Sequence, residues 1–414
     1  MQRQIEEGRI SFPHGGNERQ VKNKRFDFLL FAGIVCVTVT LRAPITAVGP
    51  VIGSLKASFP FSSGVFGLLT TIPLLMFALV SPFVCGISNR IGTGRSILYS
   101  LILVGIGILL RSYAAAVGLF LGTVLIGFGI AFGNVLIPGV IKARFPEKVG
   151  LVTSAFTISM SAFAAISSAA SHPLSQMKGT DWRFSLAVWL ILIVVALVIW
   201  WPQRTLSIRE TCAEDPAGLA PRKEPSVYRS PVAWWLTVLM GAQSCLFYFF
   251  TAWLPTMLQA KGITANGAGY ITFAFQLMTI PASFLIPTIS VRHKDQRGIT
   301  TVIALIYAAS IALFYFAQSV SLLTVACMLC GLSTGSCFSL CMLLISLRTQ
   351  SAGRATSLSG MVQAIGYAVG AIGPILAGWL FDLTGGWNAA VLCAACLTVA
   401  IFVSGRQAGR DCSI

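Results

Sequence analysis

The chain has 414 residues, 56% of them hydrophobic and only 10% charged, with a mean hydropathy of +0.81. A soluble domain carries about a quarter charged residues, so that class is excluded. The net charge of +16 does not signal nucleic acid, because the basic residues stand singly between apolar runs and form no stripe.

Residues 1–25 are polar and basic, carry no cleavable leader pattern, and are expected to form a cytoplasmic tail. Apolar runs of bilayer length follow at 26–48, 64–86, 96–113, 117–141, 149–173 and 183–201. The one long polar interruption, 202–230, is rich in Pro, Arg and Glu and is expected to be a cytoplasmic linker. Six further runs occupy 231–255, 266–289, 298–317, 320–345, 355–380 and 386–405, before a cytoplasmic tail at 406–414. With both termini inside, 23 of the 29 lysines and arginines fall on the cytoplasmic side. Only Lys56, Arg111, Lys178, Arg183 and Lys261 fall outside, an asymmetry that favours both termini inside; the expected location is a bacterial inner membrane.

The two sets of six spans also repeat each other. At a shift of 205 residues Pro50 falls on Pro255, Lys56 on Lys261, Pro82 on Pro287 and Trp182 on Trp387. At a shift of 201, Ser159-Met160 and Pro173 fall on Gly360-Met361 and Pro374, a slip of about one helical turn. The expected fold is therefore an all-α integral membrane protein, with twelve transmembrane helices in two pseudo-symmetric six-helix bundles, 26–201 and 231–405. An even number of spans per repeat gives both halves the same orientation, with a solute site at mid-membrane between them.

In the first span, "LRAPITAVGP" sets Arg42 in an apolar run. A charge at bilayer centre costs at least about 2.5–3.5 kcal/mol, so it faces protein or a wet cavity. Thr38, Arg42, Thr46 and Gly49 share one helical face, and Pro44 and Pro50 are expected to break the helix nearby. All 13 acidic residues lie in loops, tails or span ends, so no carboxylate is placed to neutralise Arg42. A guanidinium left that way suits a small planar anion, a carboxylate or a nitro group. The bland alternative is an arginine bonding helix-end carbonyls or snorkelling to one surface. Phe247 occupies the duplicated position, so the charge is not scaffolding that both halves need.

Other polar groups fall in spans that can face the same cavity. They are Asn134 in the fourth, Gln243 and Tyr248 in the seventh, Gln276 in the eighth, and Ser359, Gln363 and Tyr367 in the eleventh. We take Arg42, Thr46, Asn134, Tyr248, Gln276, Gln363 and Tyr367 as candidate solute-binding residues, although any one amide is more often an interhelical hydrogen bond. The run "GFGIAFG" (127–133) lies mid-span without a preceding strand and is expected to pack helices, not to cradle a dinucleotide.

Nine of the 11 cysteines sit in or beside apolar spans and are expected to pack as small hydrophobes. His14, His172 and His293 lie in the tail, at a span end and in a loop, so no nucleophile–base pair or metal cluster forms in the core. No metal or cofactor is expected, and a membrane enzyme or a sensor without flux is the alternative of another class, for which the core lacks a nucleophile–base pair or metal site. Proton coupling has only Asp27, His172 or the solute's own protonation to carry it. The expected partners are a small solute and membrane lipid, and the chain is expected to be a monomer.

Duplicated sixes with a cytoplasmic central loop resemble the major facilitator superfamily. The loop "GISNRIGTGRS" is similar to that superfamily's G-x-x-x-D-R-x-G-R-R signature at Arg90, Gly92 and Arg95, with Asn89 in place of the aspartate. The second-half counterpart "VRHKDQRG" keeps Asp295 and Arg297. The resemblance assigns these five residues to cytoplasmic gating loops. "LRAPITAVGP", "GIAFGNVLIPGVIKARFP", "AWLPTMLQAKG" and "LSGMVQAIGYAVGAIGP" are together similar to the cyanate and 2-nitroimidazole transporter family. That likeness implies secondary transport of a small anion or nitro compound by alternating access; export of neutral or cationic drugs is the alternative.

Overall fold

The computed structural model describes residues 15–61, 63–177, 179–207 and 226–412. The first part of the expected tail, most of the expected linker, His14 and Lys178 lie outside the described residues, as do the side chains of Lys56 and His172. Among the described residues, twelve helices are long and apolar enough to cross a membrane. In the first half they are α1 (Asp27–Val51), α2 (Leu68–Ile91), α3 (Thr93–Tyr113), α4 (Ala116–Arg144), α5 (Pro146–Ser175) and α6 (Trp182–Thr205). In the second they are α7 (Pro231–Ala260), α8 (Gly267–Ser290), α9 (Arg297–Phe316), α10 (Val320–Leu347), α11 (Ala352–Thr384) and α12 (Asn388–Ala408). Every span expected from the sequence is present, and α2, α7 and α11 run several residues further than their apolar cores.

Local chemistry sets the helix ends. The Asp181 side chain accepts from the Arg183 and Phe184 N–H groups to start α6, Ser319 accepts from Leu322 N–H at α10, and Ser351 accepts from Arg354 N–H at α11. Gly385, at φ 65°, ends α11 in the left-handed conformation that a side chain disfavours.

The halves pack alike. Within the first, α3 and α2 both lie on α4, α1 on α5 and α6, and α3 on α6. Within the second, α9 and α8 lie on α10, α7 on α11 and α12, and α9 on α12, which is the same list moved by six helices. Between the halves, α2 meets α11 as α5 meets α8, and α4 meets α11 as α5 meets α10.

Without a hydrophobic drive between helices in lipid, close approach comes from small residues. Gly127 faces Met76 and Pro73 of α2, Gly129 the Ser100 carbonyl of α3, and Gly133 the Leu41 side chain of α1. On the second-half side a Cβ at Gly331 would stand 2.0 Å from the Phe275 carbonyl oxygen, and one at Gly335 2.7 Å from that of Thr279.

We call the end where α6 leads towards α7 the linker end. There each half fastens its α2–α3-type loop to its own last helix. Gly94 N–H donates to Leu206 O at 2.7 Å in the first half, and Gln296 N–H to Gly409 O at 2.9 Å in the second. Trp200 Nε1 adds a bond to Gly94 O at 3.0 Å, while Arg348 donates through Nε to Ala408 O and through Nη2 to Gly409 O and Gln296 Oε1.

The structure revises one placement. Arg111, assigned above to an outer loop, is inside α3 and 1% exposed. The apolar run ends two residues beyond it, so periodicity alone could not decide between a terminal snorkel and a buried charge.

Replacing Gly331 by Val forces α8 and α10 apart at backbone level. It is expected to cost about 1–3 kcal/mol of stability, by the usual range for overpacking. Unfolding of the detergent-solubilised protein measures this, and an unchanged transition would contradict the seam.

Candidate functional site

Pro44 has no N–H to give, and α1 breaks accordingly. Helical backbone runs to Thr40, turns through Leu41 and Arg42, and resumes for a single turn over Ala43–Thr46. Arg42 stands at the break with φ −120°, and its carbonyl accepts from the Ile45 and Thr46 N–H groups at 3.0 and 3.1 Å. The break divides the expected face: Thr38 Oγ1 bonds back to Ile34 O, Thr46 Oγ1 to Arg42 O, and Gly49 is exposed.

The half-buried Arg42 side chain reaches a cleft between the halves that holds about 490 Å³ of atom-free space. Its Nη1 donates to Tyr248 Oη at 3.1 Å, and its guanidinium carbon lies 5.5 Å from both the Phe247 and Phe338 ring centroids. Two such aromatic faces supply roughly 0.5–2 kcal/mol each to a cation, comparable with the lower estimates for a charge at bilayer centre, but neither is an anion that could neutralise it. Phe247, the duplicate of Arg42, has become one of the surfaces on which Arg42 rests. Among the described residues the ion pairs are Arg183–Asp181 at 2.9 Å and Arg297–Asp295 at 3.4 Å, both at helix ends and away from the cleft. No aspartate, glutamate, lysine or histidine is among the described residues lining it.

Four of the seven expected binding residues line the cleft: Arg42, Tyr248, Gln276 and Tyr367. Tyr367 is 1% exposed, its Oη has no hydrogen-bond partner, and its ring lies 5.0 Å from that of Phe77 and 6.4 Å from that of Tyr248. The other three are elsewhere. Thr46 pairs with Ser167 of α5, Oγ1 to Oγ, at 2.6 Å. Gln363 Nε2 donates to the Asn134 backbone carbonyl at 2.6 Å and Ser359 Oγ to the same oxygen at 3.4 Å, so Asn134 and Gln363 meet each other across the α4–α11 contact.

The cleft also contains residues that the sequence did not single out: Ser161, Thr279, Thr334 and Phe338. Small hydroxyls recur throughout membrane helices and commonly bond their own backbone, as Thr279 Oγ1 does to Gln276 O, so they carry no signal without a position.

The resemblance-derived loop residues lie at the linker end. Arg90 and Arg95 are exposed, and Gly92, at φ 92°, makes the turn between α2 and α3. Asn89, in the place of the signature's aspartate, points its amide at Cys85 Sγ, 3.9 Å away. Asp295 accepts from the Arg297 N–H at 2.8 Å at the start of α9.

Hydrogen bonds between the halves gather on the linker side of the cleft. Thr157 Oγ1 donates to Ser283 O at 3.0 Å, Ser154 Oγ to Phe284 O at 3.1 Å, and Cys85 Sγ pairs with Ser357 Oγ at 3.4 Å. Arg42 to Tyr248 is a further bond between halves, at the cleft itself.

Twelve bilayer-length helices in two like halves about a central cleft define a multi-pass membrane protein built to pass a solute. The chain belongs to the Major Facilitator Superfamily, whose family model matches residues 34–371, and it is a transporter of that superfamily. It is 39% identical over 390 residues to the uncharacterized transporter YycB of Bacillus subtilis, covering 94% of this chain and 96% of the relative. It is 36% identical to the 2-nitroimidazole transporter of Escherichia coli (92% and 96% covered) and 27% identical to that organism's cyanate transport protein CynX (88% and 94%). The fold matches the Escherichia coli fucose:proton symporter FucP with a TM-score of 0.72 at 14% identity, covering 93% and 99% of the two chains. It matches the proton:xylose symporter XylE with a TM-score of 0.74 at 14% identity, covering 92% and 95%.

Removing the amide that joins α11 to α4, by Gln363→Ala, is expected to lower stability by about 0.6–2 kcal/mol, the range for interhelical bonds in lipid. A larger loss would mean that Gln363 does more than bridge the halves; none would mean that the bond is not formed in the membrane.

Proposed function

We propose that the chain carries a small, planar, anionic or nitro-bearing solute across the membrane by alternating access, with both termini in the cytoplasm. One observation carries the reading. Arg42 presents a permanent charge to the cleft with a phenol and two ring faces around it and, among the described residues, no carboxylate. An anion entering the cleft supplies the missing partner, and a flat one can also stack on an aromatic face of the wall. The names of the relatives, a 2-nitroimidazole transporter and a cyanate transport protein, are consistent with such solutes. Tyr248, Gln276 and Tyr367 are the polar groups we assign to the rest of the solute shell.

The position of the inter-half bonds supports the transport step. Contacts such as Thr157–Ser283 and Asn134–Gln363 close the linker side in this state and part in the opposite one. With no acidic residue or histidine on the described cleft wall, any proton that accompanies transport travels on the solute or through groups outside the cleft.

Purified protein in vesicles is tested with labelled cyanate, 2-nitroimidazole and 4-hydroxybenzoate. At least one is expected to enter saturably, and Arg42→Gln to reduce that uptake on the order of 100-fold, as expected when a charged hydrogen-bond partner is lost. Undiminished uptake in Arg42→Gln, or no uptake of any of the three, sinks the proposal. Arg42→Lys keeps the charge but not the planar fork and is expected to fall between the two.

A further inference from the structure

The charge in the cleft stands on a broken helix, and the break has a support of its own. In an unbroken helix the Pro44 carbonyl would accept from the Val48 N–H. Here the Val48 N–H turns to Ile45 O at 3.3 Å, and the freed Pro44 carbonyl accepts instead from Arg111 Nη1 at 2.6 Å. Arg111 comes from α3, is 1% exposed, and does not line the cleft. Its Nε and Nη2 are buried without a hydrogen-bond partner. A methionine would fill the same space without the desolvation cost of a guanidinium, so packing alone does not account for an arginine here.

The backbone that carries Arg111 is held tightly against α4. Gly122 of α4 lies so close that a Cβ there would stand 2.5 Å from Arg111 N and 2.8 Å from Arg111 Cβ. The turn that Arg111 grips is in turn tied to Arg42, whose carbonyl accepts from Ile45 N–H, Thr46 N–H and Thr46 Oγ1. Moving Pro44 therefore moves the backbone that aims Arg42.

We propose that Arg111 is a positioning residue for solute recognition: by holding the Pro44 carbonyl it fixes the angle of the α1 break, and with it the place of the Arg42 guanidinium in the cleft. This rests on the reading of Arg42 as the solute's partner.

The test compares wild type, Arg111→Met and Arg111→Lys in vesicles with the same three labelled probes. Arg111→Met is expected to raise the half-saturation concentration of the transported probe on the order of 10- to 100-fold, as a small misplacement of a binding group does, with a lesser change in maximal rate. Arg111→Lys, which retains a donor, is expected to recover part of the loss. A second readout needs no solute. Phenylglyoxal modifies accessible arginines, and mass spectrometry of the Arg42 peptide is expected to show a severalfold faster reaction in Arg111→Met, as the guanidinium leaves Tyr248 and the two rings. Should Arg111→Met fail to fold, Arg111→Gln, whose amide is too short to reach Pro44, is read in the same way. Wild-type half-saturation together with a wild-type glyoxal rate at Arg42 overturns the proposal, as does a fall in maximal rate alone, the mark of a scaffold role. Undiminished uptake in Arg42→Gln would overturn instead the reading on which it rests.

Discussion

Inside a bilayer every charge and every backbone polar group has to find its partner within the protein, because the solvent offers none. The first transmembrane helix meets this demand at one point in two ways. The helix breaks at Pro44, and the Pro44 carbonyl, which the Val48 N–H leaves for Ile45 O, is taken up by Arg111 from α3. Two residues earlier Arg42 turns into the cleft, where a phenol and two aromatic rings receive it but no carboxylate among the described residues answers its charge. On one side of the break the freed carbonyl has its donor, and on the other the Arg42 charge is left without an anion among the described residues.

The duplicated fold gives this asymmetry its meaning. The halves repeat each other helix by helix in their packing, down to the loop that each ties to its last helix. The repeat fails at the cleft. The position of Arg42 in one half is Phe247 in the other, and the two side chains meet across the cleft. One copy supplies the charge and its counterpart an aromatic face, so both halves contribute to the wall of the cleft.

The fold was largely legible in the sequence because the bilayer reduces it to two signals, apolar length and the placement of lysine and arginine. Arg42 was legible for the same reason: a lone charge in an apolar run needs an explanation. Arg111 was not, since two residues from a span end a buried arginine and a snorkelling one leave the same pattern. Asn134 and Gln363 show the opposite limit. An amide in a span announces that it needs a partner, but not whether that partner is a solute or the neighbouring helix, and here the Gln363 amide takes the backbone carbonyl of Asn134. Phe338 and Thr334 joined the cleft without any signal, because an aromatic or a hydroxyl in a helix is ordinary until the neighbouring half is placed opposite it.

The linker-end loops carry one further consequence. Backbone bonds from Gly94 to Leu206 and from Gln296 to Gly409 stitch each bundle to itself with peptide groups, whereas the bundles are joined to each other mainly by serine, threonine and glutamine side chains. A hydroxyl that lets go of its partner can rotate to a water molecule or to a carbonyl on its own helix, while a peptide group pulled from its partner has nowhere to turn. On the proposed reading the two bundles are thus the stiffer bodies, and strain is expected to be relieved along the side-chain seam between them.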